Sequence, residues 1–179
     1  MFDAALPTVG FVPRGRDVRA YGGRSTVRLK NLDRVFERDE VLYGAEIKNT
    51  LDYIDRDEFE EKLLICKDLG LRPLFICRML PKSYARQVIQ AGGFALIFKW
   101  QLYPHGQKGF AKEVHEKLGL PTDSPKVIEE GTLQRLVRGH EKIVGGVSPY
   151  NVDQEWPEEA EAEGMGDEGY LSEFESDLY

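Results

Sequence analysis

LDRVFERDEVLYGAEIKN, residues 32–49, is the stretch on which the reading of this chain turns. Two apolar runs, Leu32 to Phe36 and Val41 to Lys48, flank the charged segment Glu37-Arg38-Asp39-Glu40. That pattern predicts a β-hairpin. Residues two apart on a strand point to the same face, so Glu46 and Lys48 share one face and Ile47 takes the other. An ionised pair on a strand otherwise built from Val41, Leu42, Ala45 and Ile47 is costly unless something uses the charges. The turn decides whether Asp33 joins them. A two-residue loop, Arg38-Asp39, pairs Asp33 with Gly44 and sets it diagonal to Glu46 on the same face. A four-residue loop sets Asp33 directly opposite Glu46, and a three-residue loop sends it to the wrong face. Gly44 adds no side chain to that face.

Downstream the period changes. Phe59, Leu63, Cys66 and Leu69 recur at helical spacing, with Asp57 and Glu60 placed for a capping box and Gly70 as a stop. Arg72 to Arg78 is a short apolar run that predicts a buried strand. Lys82 to Ala91 predicts a helix ended by Gly92-Gly93, and Phe94 to Tyr103 a strand ended by Pro104. Two more helices are expected, over Phe110 to Leu118 and about Pro125 to Val144. Strands separated by helices of this length need crossovers, so at least one pair is parallel and the fold class is α/β.

Upstream, residues 1–24 read as an irregular arm rich in Gly, Pro and Arg, ending near a possible strand at Ser25 to Leu29. Arg14, Arg16, Arg19, Arg24, Arg28 and Lys30 face only Asp3 and Asp17 over this stretch. Residues 25–150 read as one α/β domain, with residues 151–179 a disordered acidic tail. The net charge of -7 is therefore uneven. All 24 basic residues precede position 151, leaving a mildly basic body that permits nucleic-acid binding without demanding it. No apolar run is long enough to span a membrane, no signal peptide is expected, and Cys66 and Cys77 read as reduced core thiols. These features point to the cytoplasm. The histidines, His105, His115 and His140, are too far apart for a zinc site of ordinary spacing.

Two carboxylates and a lysine on one sheet face suit a divalent metal. Mg²⁺ takes oxygen ligands and keeps several waters, so one or two carboxylates plus a phosphate suffice. Lys48 is then placed to orient or deprotonate the attacking water, or to stabilise charge on phosphorus. Asp33, the hairpin, Glu46-Ile47-Lys48, an amphipathic helix and a buried strand together resemble the PD-(D/E)xK nuclease superfamily. Within it, the layout over Asp33 to Tyr103 is similar to archaeal Holliday-junction resolvases and restriction-endonuclease-like proteins. The resemblance implies a central mixed β-sheet flanked by helices and Mg²⁺ or Mn²⁺ dependence. It also implies hydrolysis of phosphodiester bonds, in DNA before RNA, with Asp33 and Glu46 as metal ligands and Lys48 as catalytic lysine. Dimerisation is expected from the same analogy. The sequence departs from the family in having Leu32 rather than proline before Asp33, and in lacking an N-terminal acidic helix.

Other readings stand beside these. Glu46 and Lys48 suit a simple ion pair on an exposed sheet face, and Asp39 competes with Asp33 as first carboxylate. A second Glu-x-Lys triplet, Glu60-Glu61-Lys62, falls on a helix and is assigned to a solvated surface. Arg14, Arg16, Arg24, Arg28, Lys30 and Asn49 are candidates for contact with a nucleic-acid backbone. Trp100 and Tyr103 suit either the core or stacking on a base. The acidic tail suits a solubilising role, a cover for the basic face or a dock for a protein partner around Tyr170 and Phe174.

Overall fold

The hairpin forms with its turn one residue further along than Arg38-Asp39, so each residue of its first strand pairs two residues further along the second than that loop would give. A computed structural model describes residues 1–146 of the chain. Its elements are α1 (Phe2–Ala5), β1 (Val12–Val18), the short strands β2 (Ala20–Tyr21) and β3 (Arg24–Ser25), β4 (Leu32–Arg38) and β5 (Val41–Lys48). There follow α2 (Arg56–Leu69), β6 (Arg72–Cys77), α3 (Lys82–Gln90), β7 (Phe94–Ile97), β8 (Gln101–Leu102), α4 (Lys108–Leu118), β9 (Thr122–Asp123) and α5 (Glu130–Val144). A central sheet runs in the order β1-β4-β5-β6-β7. β1, β4 and β5 are antiparallel, while β5, β6 and β7 are parallel, so the sheet is mixed and β5 is its seam.

Helices cover both faces because the parallel strands are apolar on both. Tyr43, Ala45, Leu74, Ile76 and Leu96 point to one side, where Phe2, Leu6, Phe11, Leu133 and Leu136 close over them from the N-terminus and α5. Phe75, Cys77, Ala95 and Ile97 point to the other and meet Phe59 of α2 and Ala85 and Val88 of α3. Near the hairpin, α2 also packs Ile65, Cys66 and Leu69 against Leu32 and Val35. Two glycines permit this closeness. A Cβ on Gly44 would lie 2.7 Å from Leu32 and 2.8 Å from Cys66, and one on Gly139 would lie 2.6 Å from Phe94. The element order and most boundaries follow the sequence, including α2 with Gly70 as its left-handed C-cap.

Four expectations change. Residues 1–24 are not an irregular arm: α1 and a 3-10 turn over Leu6–Val9 pack Phe2 and Leu6 into the core, and β1 forms the edge strand on β4. The strand expected near Ser25 to Leu29 shrinks to β3, because Gly22-Gly23 turn the chain straight back on β2. The strand expected to Tyr103 breaks after Ile97, and β8 pairs instead with β9 in a separate two-stranded sheet. The N-cap of α2 is Asp55, without the capping box expected at Asp57. The acidic tail lies outside the described residues, and among those described no helix is long and apolar enough to cross a membrane.

Candidate metal and active site

The site is made by a parting of strands. β4 pairs with β5 from Arg38↔Val41 to Arg34↔Ala45, leaving Asp39-Glu40 as the two-residue turn. Both turn residues have positive φ, 48° and 63°. The loop is two residues, as one reading of the sequence had it, but shifted by one from Arg38-Asp39. Continued one step past Arg34↔Ala45, this register puts Asp33 opposite Glu46 rather than diagonal to it. At that step β4 remains paired with β1, through Val18↔Leu32, and lets go of β5. The Asp33 carboxylate takes over the lost partner: its Oδ2 accepts the Ile47 backbone N–H at 2.9 Å. Asp33 is thereby held at the carboxyl ends of the parallel strands β5 and β6, the place where open α/β sheets bind ligands. A cleft of about 550 Å³ opens there, lined by Asp33, Ile47, Asn49 and Arg16.

Helix α2 closes the other side with two charged residues one turn apart, Glu58 and Lys62, which share a helix face. Lys62 is 4% exposed and Glu46 is 6% exposed. The Lys62 ammonium donates to Glu46 Oε2 at 2.5 Å and to the Asn31 carbonyl at 2.6 Å, so it bolts β5 to the chain entering β4 across the gap. Lys48 Nζ donates to Glu58 Oε2 at 3.2 Å. The assignment of Glu60-Glu61-Lys62 to a solvated surface is therefore wrong for Lys62. The signal was present: Phe59, Lys62, Cys66 and Leu69 are spaced along one stripe, and all are buried. A lysine inside an apolar stripe asks for a buried anion.

Glu46 is the group most altered by these surroundings. Burial pushes its pKa up to about 7, and the nearby charges of Asp33 and Glu58 push the same way, against the hydrogen bond and charge of Lys62. A buried carboxylate crowded by a second one is a place where a cation is stabilising. Among the described residues no group of three or more His, Cys, Asp or Glu gathers around one point. Carboxylate oxygens are the donors that Mg²⁺ or Mn²⁺ takes, and here the cation on Glu46 is the Lys62 ammonium. Burial pushes the Cys66 and Cys77 thiols up to about 12, so they stay protonated.

The other sequence candidates are dispersed. Arg14 pairs with Glu37 at 2.7 Å and Arg16 with Asp17 at 3.4 Å. Arg28 and Lys30 reach α2, bonding Asp68 at 3.1 Å and Glu61 at 3.9 Å. Arg24 is exposed and lies over Gly70. Only Arg16 lines the cleft beside Asp33, together with Arg34, a residue the sequence did not single out. Asn49 lines it too, but its amide is committed: Nδ2 donates to the Leu102 carbonyl at 2.6 Å and Oδ1 accepts the Leu102 N–H at 2.8 Å. It ties the end of β5 to β8. Asp39, the rival first carboxylate, sits in the turn at the far end of the hairpin and bonds His140. The chain matches no family model, no curated protein and no solved structure.

Proposed function

We propose that this chain is a metal-dependent nuclease of restriction-endonuclease-like fold, hydrolysing phosphodiester bonds in DNA before RNA. One observation supports the reading: where β4 parts from β5, Asp33 lines an open cleft and its charge reaches buried Glu46, on the strand end that also carries Lys48. Asp33 and Glu46 would hold Mg²⁺ or Mn²⁺, which when bound lowers the pKa of a water and neutralises phosphate charge. The protein does the rest. The Ile47 N–H fixes the Asp33 carboxylate, and Lys62 keeps Glu46 pointed into the gap by holding one of its oxygens. Glu58 of α2 holds the Lys48 ammonium, and on this reading Lys48 would donate to the attacking water or to a phosphate oxygen. Arg16 and Arg34 flank the approach, each paired with a carboxylate of the same cleft, Asp17 and Asp3, which a phosphate would have to displace.

A second reading has its own observation. Lys62 neutralises Glu46 and Lys48 neutralises Glu58, a closed set of charges such as a purely structural network would show. On that reading the chain is a nuclease-fold subunit that binds nucleic acid without cutting it. One assay separates the two. Single-stranded, duplex and branched DNA are incubated with the protein in Mg²⁺ or Mn²⁺, in EDTA, and beside Lys48→Ala. Cleavage lost both in EDTA and in the variant supports the nuclease. Cleavage that survives either one sinks the mechanism, and binding without cleavage in any metal supports the second reading.

A further inference from the structure

A second cleft, of about 460 Å³, lies beyond the first at the carboxyl end of β7. Phe2 and Leu102 line both, so the two clefts adjoin across an apolar wall. The Asn49 clamp on Leu102 fixes that wall to the end of β5, one residue past Lys48. The walls of the second cleft differ from those of the first. Half-buried Trp100 supplies aromatic surface, while Phe98 is buried and tilted against Phe2 at 5.2 Å between ring centroids. Lys99, Arg135 and Arg138 supply positive charge, and Lys99 Nζ sits 5.4 Å from the centre of the Trp100 ring. Two carboxylates are also present: Asp123, whose Oδ1 accepts the Ser124 N–H at 2.7 Å, and Glu129, at the N-cap position of α5 without a side-chain cap.

An aromatic floor beside a cluster of cations is what a nucleotide needs: a ring to stack on and donors for its phosphate. The volume falls within the ordinary range for small-ligand sites. Trp100 is half-buried, with the Lys99 ammonium 5.4 Å from its ring centre and the His115 ring T-shaped against it at 5.5 Å.

We propose that this cleft is a stacking subsite for one unpaired nucleotide of the strand whose neighbouring phosphate lies at Asp33 and Glu46, with Trp100 against the base and Arg138 on the phosphate. The inference rests on the nuclease reading for its direction but predicts binding that needs no metal and no cleavage. A nuclease with this subsite takes a strand with unpaired nucleotides next to the scissile bond, so single-stranded, flap or branched substrates are preferred to uninterrupted duplex.

The chain has two tryptophans, Trp100 and Trp156, so a Trp156→Phe background isolates the signal of Trp100. That full-length protein is titrated with oligothymidylate of about 15 nucleotides in EDTA. Quenching of Trp100 fluorescence on binding is expected, with binding about tenfold weaker in Trp100→Ala and partly rescued in Trp100→Phe. Arg138→Gln should lower the salt slope of binding by about 0.7, the share of one single-strand phosphate, while Trp100→Ala leaves that slope unchanged. Circular dichroism of each variant confirms the fold. Binding without quenching and without loss in Trp100→Ala overturns the subsite, as does no binding at all. Metal-dependent cleavage with Trp100 indifferent to the oligonucleotide would sink the subsite and leave the nuclease standing. Quenching with no cleavage in any metal would do the reverse.

Discussion

The two ends of the β4–β5 hairpin both bury polar groups, and they do so by opposite means. At the turn, Tyr43 and His140 are almost wholly inaccessible. The Tyr43 hydroxyl donates to His140 Nδ1 at 2.9 Å, and His140 Nε2–H donates to Asp39 Oδ2 at 3.0 Å. Burial holds His140 below its ordinary pKa and pushes Tyr43 up to about 12, so both stay neutral, while the charges, Asp39 and the Arg38 paired with it at 3.4 Å, lie at the rim, Asp39 in water. At the open end, full charges are buried together: Glu46 with Lys62, and Glu58 and Lys48 just above them. The turn network fixes α5 to the hairpin with groups that need no countercharge. The open end keeps an expensive arrangement that neutral residues of similar size would make more cheaply. The proposed chemistry would account for that cost, and a structural ion-pair network incurs it too.

Removing Lys62 should separate the two ends most sharply. Lys62→Met leaves Glu46 buried without its ammonium, and a loss of about 3 kcal/mol at pH 8 is expected from urea unfolding. The loss should shrink at pH 5, where Glu46 is protonated. The sign follows from its raised pKa of about 7 against an ordinary 4.5. The protonated form is favoured on folding, so the stabilising contribution is complete below about 4.5 and is lost as pH rises through 7. Equal losses at both pH values would remove Glu46 from the account. Excess Mn²⁺ should recover part of the lost Tm in Lys62→Met and none in Lys62→Met/Glu46→Gln.

The turn end should respond less and with the opposite pH sign. Tyr43→Phe leaves His140 Nδ1 without its donor and should cost about 1–2 kcal/mol. Because the His140 pKa is lowered on folding, its contribution is present above the ordinary value of 6.5 and is lost as pH falls through the folded value. A stability profile of His140→Phe that falls below pH 6 as steeply as the wild type would break the comparison. The smallest change concerns the turn backbone. Glu40 has φ of 63°, where a side chain is strained, so Glu40→Gly should stabilise by about 0.5–1 kcal/mol in thermal unfolding.

What the sequence revealed and concealed divides along the same line. Glu46 and Lys48 sharing a face followed from alternation alone, and α2 from its period and Gly70. The register did not follow, because Asp39-Glu40 lacks the Asn-Gly signature of a tight hairpin turn. His140, about a hundred residues downstream, and Arg38 hold Asp39 in place. Long-range contacts also hid β1, whose Gly and Pro suggest irregularity but which is paired along β4 around a bulge near Gly15. Lys62 was hidden by the assumption that a lysine on a helix faces water. The break between β7 and β8 carried no local marker, since Phe98, Lys99 and Trp100 suit a strand as well as a bend.

Asp33 is carried by the antiparallel half of the sheet and Glu46 by the parallel half. The spacing of the two carboxylates is therefore an angular quantity, set by how far one half is rotated against the other. Side chains that touch neither carboxylate, such as Val18 on the β1 edge or Leu71 under the hairpin, act on it as set screws act on a jaw. On the proposed metal reading, the radius of the ion accepted would be set partly by residues nowhere near it.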